Sequence, residues 1–317
     1  MNARAQLHVR LVGSCHPYSS AILMTRHRAH LVTLAAFLCF GLMSPLCKWA
    51  MEGGLISGVS MAAFRLCGAA ALFWLASLSV PRQPIERRDW KSLVIMSLCG
   101  MGINQFCYVL GVQYTSPTNA CVITTSTPVF TFVLSALFLG AAVTLRRVTG
   151  LAIAATGALI LILGSQQHGG RSGSRLGDAI CLFSQFSVSF YFVFFSGVIK
   201  KYHPLILMRW LFLISAVLTA PFWAVEILGM PWGQLGSPEI LGTAYVVFFG
   251  SFVSYLLMIV GQRYLEPPVV TAYNYIQPAI AALVGILLGV DALNWQKVAA
   301  VVLIAAGVWA ISRKSAA

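Results

Sequence analysis

Three basic residues, Lys48, Arg65 and Arg209, lie inside long apolar runs. An uncompensated charge is costly in such a setting, and a functional role is its default reading. Arg65 falls ten residues into its run, ~15 Å deep at 1.5 Å per residue, too far for its stem to carry the charge back to water. A guanidinium at that depth suits a carboxylate on a bound solute or backbone carbonyls released from a helix. Lys48 stands one helical turn before Glu52, so an ion pair along the helix and contact with a solute both remain open. Arg209 lies about a turn inside its run and is expected to snorkel.

Uncharged polar groups form a second set. Asn104 and Tyr108 are one turn apart and share a helix face; Gln185 and Tyr191 make another run polar near its middle, with Ser184, Ser187 and Ser189 around them. Pro128 and Pro278 interrupt two further runs. A proline donates no hydrogen bond and frees the carbonyl four residues earlier, here those of Thr124 and Asn274. Freed backbone is tolerated in lipid only where it is buried in protein or lines a wet cavity. Gln277 follows Asn274 by three residues and Tyr273 and Tyr275 flank it, which favours solute contact at that position. Packing kinks and interhelical hydrogen bonds are the alternative reading of this polar set.

The elements that must position these groups are membrane helices. The chain has 317 residues, 59% hydrophobic and 9% charged, with mean hydropathy +0.83. Both a soluble globular domain, with about 25% charged residues, and a polar disordered chain are excluded. Spans of ~20 residues are expected at 31–51, 55–79, 91–113, 117–142, 148–164, 176–199, 204–228, 239–262, 268–290 and 295–312. The fold class is therefore all-α integral membrane, with ten transmembrane helices and no room for a soluble domain. Residues 1–30 form an N-terminal tail without the short core and cleavage site of a signal peptide, and Met24 is an alternative start. Residues 313–317 form a C-terminal tail.

The net charge of +13 reflects 21 Lys and Arg against 8 Asp and Glu, and its placement argues for topology rather than nucleic-acid binding. With a cytoplasmic N-terminus, fifteen basic residues, including Arg82, Arg88, Arg146, Arg147, Lys200 and Lys201, fall inside and three fall outside. The positive-inside rule then places both termini in the cytoplasm. The eight cysteines show no C-x-x-C spacing and read as small buried hydrophobes. Trp49, Trp90, Trp232 and Trp295 fall at expected interfaces.

At an offset of 150 residues, Gly100 matches Gly250, Gly111 matches Gly261, Tyr114 matches Tyr264, Pro117 matches Pro267 and Pro128 matches Pro278. Arg65 in A-F-R-L similarly corresponds to Arg209 in M-R-W-L. Two five-helix repeats follow, 31–165 and 176–312. Five is odd, so the repeats enter the membrane from opposite sides, a pattern of secondary transporters with midplane binding sites.

The motifs F-G-L-M-S-P-L-C-K (40–48), A-F-R-L (63–66), Y-T-S-P (114–117), L-F-L-G (137–140), Y-L-E-P (264–267) and L-L-G-V-D (287–291) together resemble the EamA repeat of the drug/metabolite transporter superfamily over residues 31–312. Where that family usually carries Glu after the last L-G of each repeat, this chain has Ala141 and, two places on, Asp291. The resemblance implies a ten-helix bundle with spans one to four and six to nine around a central cavity, and spans five and ten peripheral. It also implies transport of small metabolites, commonly export of amino acids and related compounds across an inner or plasma membrane, and Lys48 as a position of the family motif.

None of the eight acidic residues sits at a span centre, and the six histidines lie outside the runs or at their edges. A buried proton relay is hard to build, so facilitated or weakly coupled movement of a carboxylate-bearing solute past Arg65 and Lys48 is expected. No catalytic residue, metal-ligand set or cofactor is assigned. An integral membrane enzyme or a channel without a recognisable motif remains the alternative. G-x-S-x-G, H-E-x-x-H and P-loop patterns do not occur, and no filter-like run is evident. Gly285-x-x-x-Gly289 is compatible with internal packing and with a homodimer.

Overall fold

The computed structural model describes residues 24–114, 123–164, 175–287 and 295–312, and it is helical, with no strand among the described residues. Helix α1 (Arg26–Met51) starts at Thr25, whose side chain accepts from the Arg28 amide, and α2 (Gly58–Ser77) starts at Ser57, which accepts from the Ser60 amide. Each oxygen satisfies an amide that lacks a partner in the first turn. Helices α3 (Trp90–Ser97) and α4 (Ile103–Tyr114) run through a π-helical turn at Leu98–Gly102. Helix α5 (Thr127–Leu139) ends on Gly140 at φ 63°, a left-handed cap that suits glycine. It is followed by α6 (Leu145–Gly164), α7 (Arg175–Phe194), the short α8 (Ser196–Lys201) and α9 (Pro204–Leu228). Helices α10 (Ser237–Val247) and α11 (Ser254–Tyr264) run through a second π-helical turn, Phe248–Val253. Helix α12 (Pro267–Ala272) and α13 (Ile276–Leu287) are separated by a 3-10 turn at Tyr273–Tyr275, and α14 (Trp295–Ser312) completes the chain.

Among the described residues, four segments are long and apolar enough to cross a membrane: Gly58–Ser77, Arg175–Phe194, Pro204–Leu228 and Ser237–Tyr264. The two π-helical turns begin 150 residues apart, and each carries a glycine at a crowded crossing. A Cβ on Gly100 would stand 2.8 Å from the Tyr191 ring, and one on Gly250 would stand 2.8 Å from Met43. Farther along the same helices, Gly111 presses on Cys181 and Gly261 on Thr33. Thus α4 lies on α7 and α11 lies on α1. The halves exchange helices: the third segment of each rests on the first segment of the other. Helices α6 and α14 pair through Gly150, Ala154, Gly157, Ala300 and Gly307, small residues that let two backbones approach closely.

One end of the bundle collects most of the described basic residues and is called the basic end below. Here Arg26 donates to the Ser312 carbonyl at 3.0 Å, and the His30 ring nitrogen lies 2.9 Å from the Tyr273 hydroxyl. Toward the centre, Phe73, Phe212, Tyr255 and Phe40 form a chain of ring contacts, each with centroids 5.2 Å apart, linking α2, α9, α11 and α1. Arg65 lies two turns beyond Phe73 on α2, ~12 Å farther from the basic end.

Candidate functional site

Arg65 is half-buried, and its Nε donates to Ser251 Oγ at 3.1 Å. Ser251 is fully buried in the second π-helical turn and donates in turn to the Val246 carbonyl at 3.0 Å. The wider π turn brings a serine of the second half beside a charge of the first. The anchor is thus a hydroxyl rather than a backbone carbonyl, and it engages Nε rather than the terminal guanidinium nitrogens.

Arg209, the sequence counterpart of Arg65, lies near the start of α9 and reaches the last residue of α2. Its guanidinium stacks on Trp74 at 4.8 Å and Trp210 at 5.6 Å, and its Nη1 donates to Ser77 Oγ at 3.1 Å. The indoles offer a cation a favourable face inside the bundle, so the side chain packs laterally. At the offset of 150, Ser251 is matched by Met101, which has no hydroxyl to hold an arginine.

The two proline-bearing segments break rather than kink. Pro128 opens α5 after a turn at Thr125-Ser126, and Pro278 is the third residue of α13 after the 3-10 turn. The breaks meet: Asn274 Nδ2 donates to the Thr124 carbonyl at 3.5 Å, across 150 residues of sequence. Thr127 Oγ1 lies 3.1 Å from that carbonyl, and Gln277 Nε2 donates to Asn274 Oδ1.

A second polar group joins α4, α5 and α7. Thr127 Oγ1 donates to Gln185 Oε1 at 2.7 Å, Gln185 Nε2 donates to Ser184 Oγ at 2.8 Å, and Asn104 Nδ2 donates to the Ser184 carbonyl at 3.1 Å. Ser189 Oγ reaches the Thr127 carbonyl at 3.1 Å. Gln185 and Asn104 therefore spend these groups on neighbouring helices. The Tyr108 carbonyl lies 3.9 Å from the Cys181 thiol, a weak contact along the same seam. Tyr191 and Tyr275 are fully buried, and neither hydroxyl has a partner among the described residues. The side chain of Lys48 and the Gly285-x-x-x-Gly289 contact lie outside the described residues.

The sequence reading missed Ser251 and Thr127. Ser251 adjoins the repeated Gly250, yet nothing in composition marks a π turn. It also missed the ionic cluster at the basic end. Lys201 Nζ lies 2.6 Å from both Glu86 and Asp89, and Tyr202 donates to Asp89 at 2.6 Å. The Lys201 hydrogen bond holds the Glu86 carboxyl below the usual carboxylate range. Burial works against Asp89, but hydrogen bonds from Lys201 and Tyr202 still hold it low. Burial also opposes the Lys201 charge, which its two carboxylates nevertheless raise above the usual lysine range. A second tie, Arg147 Nη2 to Glu266 Oε2 at 2.7 Å, joins α6 to the corner before α12.

The EamA-like transporter family profile matches residues 27–163 and again 175–313. An uncharacterised transporter of Archaeoglobus fulgidus is 24% identical over 261 residues, covering 82% of this chain and 90% of its own. A WAT1-related protein of Arabidopsis thaliana is 22% identical, covering 69% and 63%. An uncharacterised inner membrane transporter of Salmonella typhimurium is 24% identical, covering 64% and 66%. A solved crystal structure superposes with TM-score 0.75 at 19% identity, over 90% of this chain and 96% of that one, and so shares the fold. With both halves matched, the chain belongs to the EamA-like transporter family of multi-pass membrane proteins, within the drug/metabolite transporter superfamily.

Proposed function

We propose that this protein is a small-metabolite carrier, exporting amino acids or related carboxylate-bearing compounds by alternating access. Ten transmembrane helices form two inverted five-helix repeats, 31–165 and 176–312, with the basic end and both termini cytoplasmic in a bacterial-type inner membrane. Arg65, with Lys48, faces the solute carboxylate, while Asn274, Gln277 and Thr124 offer amide and carbonyl groups at the midplane. The observation that carries the reading is the meeting of the two broken helices, Asn274 against Thr124. Helix breaks at a repeat interface are where carriers of this architecture place their sites. Movement is facilitated or weakly coupled, because the acids lie away from the span centres.

The test is counterflow of labelled amino acids and related metabolites in liposomes. The expected result is saturable exchange of chemically unchanged solute, weakened about tenfold or more by Arg65→Ala through loss of a charged contact to the solute. Undiminished flux in that variant removes Arg65 from the site, and conversion of the solute refutes a carrier. Strong uphill transport that collapses with the proton gradient refutes weak coupling. Cysteines placed at Arg88 and Lys200 should label from one side of the membrane; labelling from opposite sides overturns the repeat topology.

A further inference from the structure

Between α2, α9 and the start of α3, the structure holds cations and hydrogen-bond donors that lack the matching anion. Trp74, Trp90 and Trp210 pack edge to face, with centroids 5.3 Å apart for Trp74–Trp210 and 5.0 Å for Trp90–Trp210. Arg209 lies against two of them. Arg82 is exposed on the loop just beyond α2, next to Gln83, whose side chain bonds the Lys201 carbonyl and the His203 amide at the start of α9. Neither arginine has a carboxylate partner among the described residues. The acids of this loop are already engaged: Glu86 by Arg88 and Lys201, and Asp89 by Lys201 and Tyr202. Two donors are also left over, since the buried Trp74 Nε1 and Arg209 Nε have no acceptor among the described residues.

Two guanidinium groups without a carboxylate, one exposed and one stacked on indoles, call for a ligand rich in anionic oxygen. The surroundings narrow its class. Leu75 and Leu78 flank Trp74 on α2 and are 65% and 78% exposed, and Val94 and Ile95 on α3 are also exposed. An inorganic anion gains nothing from that apolar rim, whereas acyl chains do. Basic pockets between membrane helices are suited to anionic headgroups, and tryptophan settles at the headgroup level.

We propose that Arg82 and Arg209, with the Trp74–Trp90–Trp210 cluster, bind the phosphate of an anionic phospholipid in the leaflet at the basic end. The lipid supplies the counter-charge that the protein omits, and it lies over the α2–α9 joint.

The test uses the full-length protein in phosphatidylcholine vesicles with phospholipids brominated on the acyl chains, which quench nearby tryptophans. Brominated phosphatidylglycerol should quench more than brominated phosphatidylcholine at equal mole fraction. The excess should saturate, and its apparent affinity should fall about fivefold in Arg82→Gln, as loss of one headgroup-facing cation predicts. Arg82 is an exposed loop residue, so this variant is expected to keep its fold, verified by an unchanged melting temperature in phosphatidylcholine alone. Millimolar inorganic phosphate should leave the excess quenching intact. Equal quenching by the two lipids, an Arg82→Gln variant indistinguishable from wild type, or displacement of the lipid by free phosphate would each overturn the proposal.

Discussion

Arg65 and Arg209 show how one residue type at matched positions acquires different surroundings. Position and depth were readable from the sequence, since both are counted along an apolar run. Most of the partners were not, because they come from elsewhere in the chain: Ser251 from the second π turn for Arg65, and Trp74 and Ser77, beside the adjacent Trp210, for Arg209. Snorkelling is the default for an arginine near a helix end, and here the indoles of Trp74 and Trp210 line the guanidinium's path. Ser251→Ala tests the Arg65 anchor. Removing the hydroxyl leaves Nε without its acceptor, a loss of about 1–3 kcal/mol, and releases the guanidinium from one orientation. The expected outcome is a lower melting temperature and a raised apparent KM in counterflow. Ser251→Thr, which keeps a hydroxyl, should recover part of both. An unchanged KM in Ser251→Ala would mean that the anchor does not orient Arg65 for transport.

At the scale of elements, hydropathy located helices well where they are continuous. The run expected at 204–228 is the helix Pro204–Leu228, and that expected at 55–79 is Gly58–Ser77. It did worse where backbone geometry departs from the α-helix. The prolines marked both broken segments, yet the extent of the breaks depends on groups from elsewhere that meet freed backbone, as the Asn274 amide meets the Thr124 carbonyl. The π turns left only their repeated glycines as a trace. Those glycines have unequal neighbours, which yields a differential prediction. Gly100 faces the ring of Tyr191, fully buried and unable to retreat, whereas Gly250 faces the flexible side chain of Met43. Gly100→Ala should therefore cost about 1–3 kcal/mol of stability as overpacking. Gly250→Ala should be milder because a methionine changes rotamer readily. Melting of the two purified variants decides this, and equal losses would show that the Tyr191 seam yields as easily as a methionine.

For the whole molecule, the question is what joins the two halves at the basic end. Outside the aromatic layer, two ionic ties link them among the described residues. The tie at Lys201 has a defined pH response. Glu86 and Asp89 titrate below their usual range in the folded protein, so their contribution is complete above the unfolded values and is lost as pH falls through the folded ones. Lys201 titrates above its usual range, so its contribution is lost only as pH rises past that value. The tie is intact across neutral pH. The melting temperature should drop below about pH 4, and the Glu86→Gln, Asp89→Asn double variant should flatten that drop. A drop of the same size in the double variant would assign acid lability to other groups.

The tie between Arg147 and Glu266 bears on the resting state of the carrier. Arg147 is buried, with a side chain 6% exposed, while Glu266 is 54% exposed. Removing the carboxylate therefore costs more than for a surface pair and less than the 3–5 kcal/mol of a fully buried one. At the 150-residue offset, Arg147 corresponds to Lys297 and Glu266 to Ser116, so the opposite end has no acid at the matching place in sequence. On the proposed alternating-access reading, the Arg147–Glu266 pair restrains opening at the basic end, and Glu266→Gln should shift the population toward that opening. The reporter is Cys47, half-buried near the end of α1, as the sole remaining thiol. Maleimide added from the basic side should label it about tenfold faster in the variant, the shift produced by ~1.4 kcal/mol. Unchanged or slower labelling would place the restraint in the aromatic layer around Tyr255 instead.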